Sequence, residues 1–444
     1  MTRLPLYILI VCFALLLAIP TGKGDLPGYD DALYAHIAKE VYLSGDWLDL
    51  RSNGYPALEH PPLLPWIEAL FFNMFGLSDT VVRIPSAACG FGTILLVWWL
   101  ARRLFDEATA YCAMFAMGTS LYFLKYAAHA MTDVPFAFFF LCAVCCWQLA
   151  DDSPRWLPVV GAFTAAAQMT RGMMGLALLL LFGFDLLLAR RRPAWGWLAA
   201  GATIAFAPPL LWYWHLVGSY GEFYLQVHKQ FLAKDIVAPN PLTSLLFIWM
   251  LAKSYWPWFP AMLAGLYLTR NRLLLLWIGV VLSACAVVRN PVLRYLLPAY
   301  PAFAIAAGAA ISRIKIPIWI GPAIAAIAVV VAAALPTHPQ ADNTKPIAIA
   351  ATRATKFGER IAFYDEGRPR FDETNQLQWY GDRTYYILEN PAALDQAILQ
   401  NKAKFWIIDR TTKETRFPGA AVLAEAGPLV LCRLRSPEPP VLLH

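Results

Sequence analysis

Long apolar stretches separated by short loops run through the first three quarters of the chain, and each can cross about 30 Å of hydrocarbon. The pattern predicts about eleven membrane spans, near residues 4–20, 80–101, 109–126, 132–150, 156–172, 173–189, 195–216, 244–268, 273–288, 295–312 and 316–335. One interruption differs from the rest. Residues 21–79 form a long polar segment between the first span and the second. It opens with KGDLPGYDDA (Lys23–Ala32), which holds three aspartates. A carboxylate beside a bilayer is costly unless it faces water and works, so this loop suggests an active site at the membrane surface.

Within the loop, Leu33, Ile37 and Val41 recur at i, i+4 and i+8, with Tyr34, Ala38 and Tyr42 as the adjacent stripe. This spacing predicts an amphipathic helix over 31–43 lying along the interface and ended by Gly45. Asp30 stands at its start as an N-cap, where the helix N-terminus holds a carboxylate ionised and oriented, as a general base requires. Glu59-His60-Pro61-Pro62 introduces a second interfacial helix that runs to Phe75, with the prolines fixing its entry. Asp133, two residues before Pro135, occupies a helix-start position at the fourth span. The tail changes composition. RIAFYDEG (Arg360–Gly367) and AKFWIIDR (Ala403–Arg410) read as strands. Pro391–Gln400 reads as a helix capped by Asn390, and VLAEAGPLVLCRLR (Val422–Arg435) as a hairpin or a pair of strands. The Ala-rich stretch 302–334 reads as close-packed helix. The predicted division is a transmembrane domain over 1–339, including the 21–79 loop, and a small extracytoplasmic α/β domain over 340–444.

Composition agrees with this class. Charged residues make up 15% of the chain, where a soluble protein carries about a quarter, and the mean hydropathy is +0.50. The net charge of +6 is too small and scattered to suggest nucleic acid. Seven of the 8 cysteines lie in apolar runs as small packing residues. Cys142-x-x-Cys145-Cys146 has a metal-like spacing but no polar partner in its span. With a cytoplasmic N-terminus, the inside loops carry Arg102-Arg103, Arg155, Arg190-Arg191-Arg192, Arg270 with Arg272, and Arg313 with Lys315, as the positive-inside rule asks. An odd number of spans then places the tail outside, with the 21–79 loop. Lys125, Arg171, Arg289 and Arg294 fall at outer ends of spans, and Lys229 and Lys234 in the outer loop 217–243. Snorkelling to headgroups is one account of them. A shared anion site around a phosphate is the other.

An ordered set of motifs then carries a resemblance. Asp30 with Tyr34-Ala35, Ser44-Gly45-Asp46-Trp47, Glu59-His60-Pro61, Arg83-Ile84-Pro85, Asp133 within TDVPFAFF, Met169-Thr170-Arg171-Gly172, His228 in VHKQF, Pro257-Trp258 in SYWPWFP and Arg294-Tyr295-Leu296-Leu297-Pro298 follow one another over residues 1 to 312. Together they resemble the bacterial PMT-2 group of membrane glycosyltransferases, relatives of protein O-mannosyltransferases and of lipid A aminoarabinose transferases. The resemblance implies a GT-C architecture: a mainly α, polytopic transmembrane bundle with two interfacial helices in the first outer loop and an outer soluble domain. It also implies a sugar donor linked to a polyprenyl phosphate in a bacterial inner membrane.

Position by position, Asp30 matches the family's catalytic aspartate, and Asp133 its second acidic position. Arg171 matches a basic residue facing the lipid phosphate. Glu59 and His228 match positions that in some relatives bind a divalent metal, the cofactor this implies. His60 stands where close relatives often have lysine, which makes a phosphate contact there weaker and pH-dependent. Asp31, Tyr34 and His60 are expected to support the site. In the expected mechanism, Arg171, Lys229, Arg289 and Arg294 hold the leaving phosphate. Asp30 takes the proton from an acceptor hydroxyl on a lipid glycan, cell-wall polymer or protein, and single displacement inverts the anomeric centre. Two rival readings remain at this point. One is a transporter or flippase of a lipid-linked sugar, since ionisable residues in membranes also mark transport paths. The other is a sensor whose outer domain binds a ligand.

Overall fold

The computed structural model describes residues 3–28, 30–189, 194–235, 241–286, 292–314, 316–335, 343–356, 359–364, 371–388, 390–400, 402–417 and 420–434. The predicted basic residues Arg190, Arg191, Arg192, Arg289 and Lys315 lie outside them. The chain begins with α1 (Leu4–Thr21), α2 (Asp30–Ser44), the short strands β1 (Arg51–Ser52) and β2 (Tyr55–Pro56), α3 (Leu63–Phe75) and α4 (Asp79–Leu104). There follow α5 (Glu107–Gly118), α6 (Leu121–Ala127), α7 (Asp133–Ala150), α8 (Leu157–Arg171), α9 (Ala177–Ala189), α10 (Trp195–Asp235), α11 (Pro241–Ser254), α12 (Phe259–Thr269), α13 (Arg272–Ala286), α14 (Tyr300–Ile311) and α15 (Ile320–Ala334). The tail holds α16 (Thr344–Ala354), β3 (Ile361–Tyr364), α17 (Phe371–Tyr380), β4 (Tyr385–Leu388), α18 (Pro391–Leu399), β5 (Phe405–Asp409), α19 (Arg410–Arg416), β6 (Ala421–Ala426) and β7 (Leu429–Arg433).

The apolar periodicity located the helices, and two of the predicted spans are broken. The expected span 109–126 is α5 and α6, parted at Thr119–Ser120. The expected span 244–268 is α11 and α12, parted around Pro257. Proline lacks the N–H that a continuous helix needs. Among the described residues, four helical stretches are long and apolar enough to cross a membrane: Leu4–Thr21, Asp79–Leu104, Asp133–Ala150 and the run Pro154–Ala189. Shorter apolar helices accompany them.

The chain forms two compact units. The first comprises Met1–Gly22, Leu58–Ile67 and Arg83–Leu335. In it α8 packs on α7 and α10, α14 on α5 and α12, α1 on α15, and α13 on α9. Its centre is filled by fully buried Phe13, Phe123, Phe140, Trp277 and Phe303. Phe140 and Trp277 stack at 5.8 Å. Asp185, 2% exposed, takes bonds from Trp147 Nε1 at 3.0 Å and Arg272 Nε at 3.1 Å, which ties α7, α9 and α13. Of the Ala-rich stretch, α14 is close-packed as expected, with Ala302, Ala304, Ala306 and Ala307 fully buried. The α15 helix instead exposes Ile324, Ile327, Val330 and Val331, the apolar surface a helix presents to lipid.

The second unit comprises Lys23–Ala57, Glu68–Val82 and Pro336–His444. The sequence-based division fell at 339/340 and kept the whole 21–79 loop with the bundle, whereas the contacts group most of that loop with the tail. The sheet order is β4-β3-β5-β7-β6, with β3 parallel to β4 and β5, and β7 antiparallel to β5 and β6. Side chains alternate between the faces. Ile361, Phe363, Phe405, Ile407, Leu429 and Leu431 face the core shared with α16 and α17. Ala362, Tyr364, Trp406, Ile408 and Cys432 face the core shared with α18 and with Phe417, the residue after α19. The predicted helix at 391 is capped as expected, with Asn390 Oδ1 accepting from the Ala393 N–H at 2.8 Å.

The loop elements are laced to this domain by polar contacts. Lys39 Nζ, 6% exposed, donates to the Trp379 carbonyl at 2.8 Å and pairs with Asp382 at 2.6 Å. Asn53 bonds the backbone of Tyr385 in both directions, at 2.8 and 2.7 Å, and so extends the edge of β4. Asp79 accepts from Trp379 Nε1 at 2.6 Å and from the Tyr380 hydroxyl at 3.1 Å. As a result α2 is buried on more than its apolar stripe: His36 and Lys39 are inside with Ala35, Ile37, Ala38 and Val41.

Candidate active site

In the first unit a carboxylate and two guanidiniums converge. Asp133 opens α7 and is 2% exposed. Arg171, the last residue of α8, forms an ion pair with it and donates to Thr132 Oγ1 at 3.3 Å. Arg294 Nε lies 3.8 Å from the same carboxylate. The Arg171 guanidinium also covers the Tyr295 ring at 4.9 Å, a cation–π contact. Two guanidiniums thus meet at one carboxylate. Asp133, expected from the sequence to orient the acceptor or support Asp30, is paired here with the two arginines.

Glycine sets where these groups stand. Gly172 follows Arg171 with φ +60° and ψ −133°, a backbone region essentially closed to residues with a Cβ. It stops α8 at Arg171 and turns the chain into a 3-10 segment, Gly172–Leu176. Gly221 repeats the conformation, φ +54° and ψ −129°, and kinks α10 ahead of His228.

His228 is half-buried, and its Nε2 lies 3.2 Å from the Tyr224 hydroxyl one turn earlier. The ring packs on Tyr224 at 4.3 Å and on Tyr213 at 6.3 Å. Desolvation lowers its pKa, partly offset by the charge of Glu59. Glu59 and His228, paired by the sequence reading, are thus within electrostatic reach of each other. His228 Nδ1 is buried without a protein partner, as suits a ligand atom. Among the described residues no group of three His, Cys, Asp or Glu gathers to hold a metal, so a cation here would need water or substrate oxygens to complete its shell. His60 is half-buried and Lys229 is exposed. Arg289 lies outside the described residues.

Asp30, Asp31 and Tyr34 stand on α2 in the second unit. Asp30 is the first residue of α2 rather than the residue before it. It keeps the favourable interaction of an anion with the N-terminal dipole. Asp30 and Tyr34 are half-exposed, while Asp31 is buried. Sequence reading passed over Tyr224, which was findable one helical turn before His228. It also gave no role to Tyr295 or to Glu68, the lone ionisable group of α3.

Known proteins share features of this arrangement. Residues 59–212 match the PMT_2 family model, described as dolichyl-phosphate-mannose-protein mannosyltransferase. A relative from Shewanella sediminis is 24% identical over 52% of this chain and 44% of its own. One from Pseudomonas aeruginosa is 26% identical over 70% of this chain and 60% of its own. Both bear the name undecaprenyl phosphate-alpha-4-amino-4-deoxy-L-arabinose arabinosyl transferase. The chain spans about half the length of the curated relatives it matches. The fold is similar to that of ArnT from Cupriavidus metallidurans bound to undecaprenyl phosphate, with a TM-score of 0.78, 18% identity and 97% of each chain covered. It is also similar to the Archaeoglobus fulgidus oligosaccharyltransferase, with a TM-score of 0.61, 12% identity, and 93% and 70% covered. The collinear motifs thus accompany a match to the PMT_2 family model over residues 59–212, and the bundle has a fold similar to that of ArnT.

Proposed function

We propose that the protein is an integral membrane glycosyltransferase that moves a sugar from a polyprenyl-phosphate donor to a hydroxyl acceptor at the outer face of a bacterial inner membrane. The observation that carries this is the pair of guanidiniums on Asp133. Arginine keeps its charge at any relevant pH, and its fork matches phosphate oxygens. In the proposed reaction Asp30 accepts the proton of the acceptor hydroxyl. The freed oxygen forms a bond to the anomeric carbon as the bond from that carbon to the phosphate oxygen breaks. The electron pair leaves with the phosphate, whose charge Arg171 and Arg294 stabilise, with Lys229 and Arg289 as further cations. Attack from the opposite face inverts the centre. Asp133 keeps the two guanidiniums oriented before the donor arrives. Glu59 and His228 would hold a divalent cation, whose charge when bound would add to that of the arginines. Loss of transfer on chelation, restored by added metal, tests that part.

The names of the relatives favour a pentose donor of the aminoarabinose type and a lipid-glycan acceptor. They also favour transfer over transport. The basic loops favour a cytoplasmic N-terminus and a periplasmic tail. The decisive experiment incubates purified protein with a panel of lipid-linked sugars and reads products by mass spectrometry. Asp30→Asn is expected to lower turnover by about 100-fold or more, the usual worth of a general base. Transfer by Asp30→Asn at the wild-type rate would overturn the assignment.

A further inference from the structure

Two prolines shape the segment that carries Arg294. Ahead of α14, Leu293–Ala299 form a 3-10 helix. In such a helix each carbonyl accepts from the N–H three residues on. For the carbonyls of Tyr295 and Pro298 those positions are Pro298 and Pro301, and proline has no N–H to give. Both carbonyls receive a donor from α13. Trp277 Nε1 donates to the Pro298 carbonyl at 2.9 Å. The Cys285 thiol, a weak donor, points to the Tyr295 carbonyl at 3.6 Å. Trp277 is fully buried, so water does not replace its bond when the N–H is lost.

The same indole also meets α7. Trp277 stacks on Phe140 at 5.8 Å, with 18° between the rings. Phe140 lies two helical turns beyond Asp133 and so on the same side of α7. One side chain thus touches both supports of the charged cluster. On one side is the helix that Asp133 opens. On the other is the segment whose Arg294 Nε lies 3.8 Å from that carboxylate and whose Tyr295 ring packs against the Arg171 guanidinium. We propose that Trp277 is a positioning residue for this cluster: it holds the segment bearing Arg294 and Tyr295 at a fixed separation from the helix bearing Asp133, and so sets the gap between the two guanidiniums. The proposal rests on reading Arg171 and Arg294 as the groups that hold the phosphate of a polyprenyl-phosphate donor.

The test uses the full-length protein in nanodiscs and two probes, undecaprenyl phosphate and undecaprenol, which share a tail and differ by the phosphate. Trp277→Phe keeps a ring against Phe140 and removes the N–H. It should weaken binding of undecaprenyl phosphate by about tenfold, because paired arginine forks demand accurate placement. Binding of undecaprenol should stay within about twofold. A role in packing alone would weaken both probes alike, and that result would overturn the proposal. In the Arg294→Lys background the loss caused by Trp277→Phe should shrink to about twofold or less, since groups that act through one contact are not additive. The full loss in that background would also overturn it. If Trp277→Phe does not fold, Phe140→Leu, which removes the stacked ring and keeps the indole bond, carries the same comparison. Wild-type protein that binds both probes equally would refute the phosphate reading itself, before any variant is made. A wild-type preference for the phosphate that survives Trp277→Phe would refute the positioning role alone. The two failures are thus told apart.

Discussion

Removing Asp133 would leave Arg171 and Arg294 together without the carboxylate that they share. Breaking a buried ion pair from one side costs about 3–5 kcal/mol, because the remaining charge stays in a poor solvent. Asp133→Ala is expected to lower the unfolding temperature measurably in detergent, and Asp133→Asn to do so by less. Arg171→Lys keeps the charge but loses the fork and weakens the contact over Tyr295. If Arg171 holds the donor phosphate, kcat/KM should fall about 10- to 100-fold, with thermal stability changed far less. Steady-state kinetics with a lipid-linked donor separate these effects. Arg171 and Arg294 were legible in the sequence because each breaks the pattern of basic residues on inside loops. Their attachment to Asp133 was not legible, since three residues on different helices meet only when the bundle packs.

Among the elements, the helices were legible and their ends less so. Apolar runs fix where a helix lies, but the dips at Thr119–Ser120 and Tyr255–Trp258, where two expected spans break, are too short to stand out within a span-length stretch. The backbone turns that shape the site depend on Gly172 and Gly221. Alanine at either position would hold a Cβ in a region that costs about 1–3 kcal/mol. Gly172→Ala is expected to displace Arg171 and lower transfer, while Gly221→Ala should act through His228. Scanning fluorimetry and transfer assays on both variants check this. The outcome that would refute it is a Gly172→Ala protein with unchanged stability and unchanged donor KM. The α2 helix shows the opposite kind of miss. Its apolar stripe was read correctly, but the burial of Lys39 was not legible, because its partners Trp379 and Asp382 lie 340 residues further along the chain or more.

For the molecule as a whole, the second unit is assembled from three stretches of chain, and two buried titratable groups should set the pH range over which it holds together. His36 is buried, and burial first, with the Lys39 charge second, pushes its pKa down to about 3. The unfolded chain would bind this proton near pH 6.5. As pH falls from about 6.5 to about 3, the unfolded state therefore takes up a proton that the folded state refuses, and stability drops by up to about 1.4 kcal/mol per pH unit. Glu68 works at the other end. Its raised pKa means the folded state keeps a proton that the unfolded state releases above about pH 4.5, so its stabilising contribution declines as pH rises toward the folded value. The unit should be most stable between these limits. Because α2 is tied to α17 through Lys39, the amides of residues 30–44 should gain exchange with those of the tail sheet rather than ahead of them. Hydrogen exchange followed by mass spectrometry across pH 4 to 9 reads both limbs at once. In His36→Gln the acid limb should flatten while the alkaline limb stays, and in Glu68→Gln the reverse. If both variants follow the wild-type curve in parallel, the two groups do not govern the unit. Early exchange of 30–44 alone would mean that the loop helix opens without the domain on which it is built.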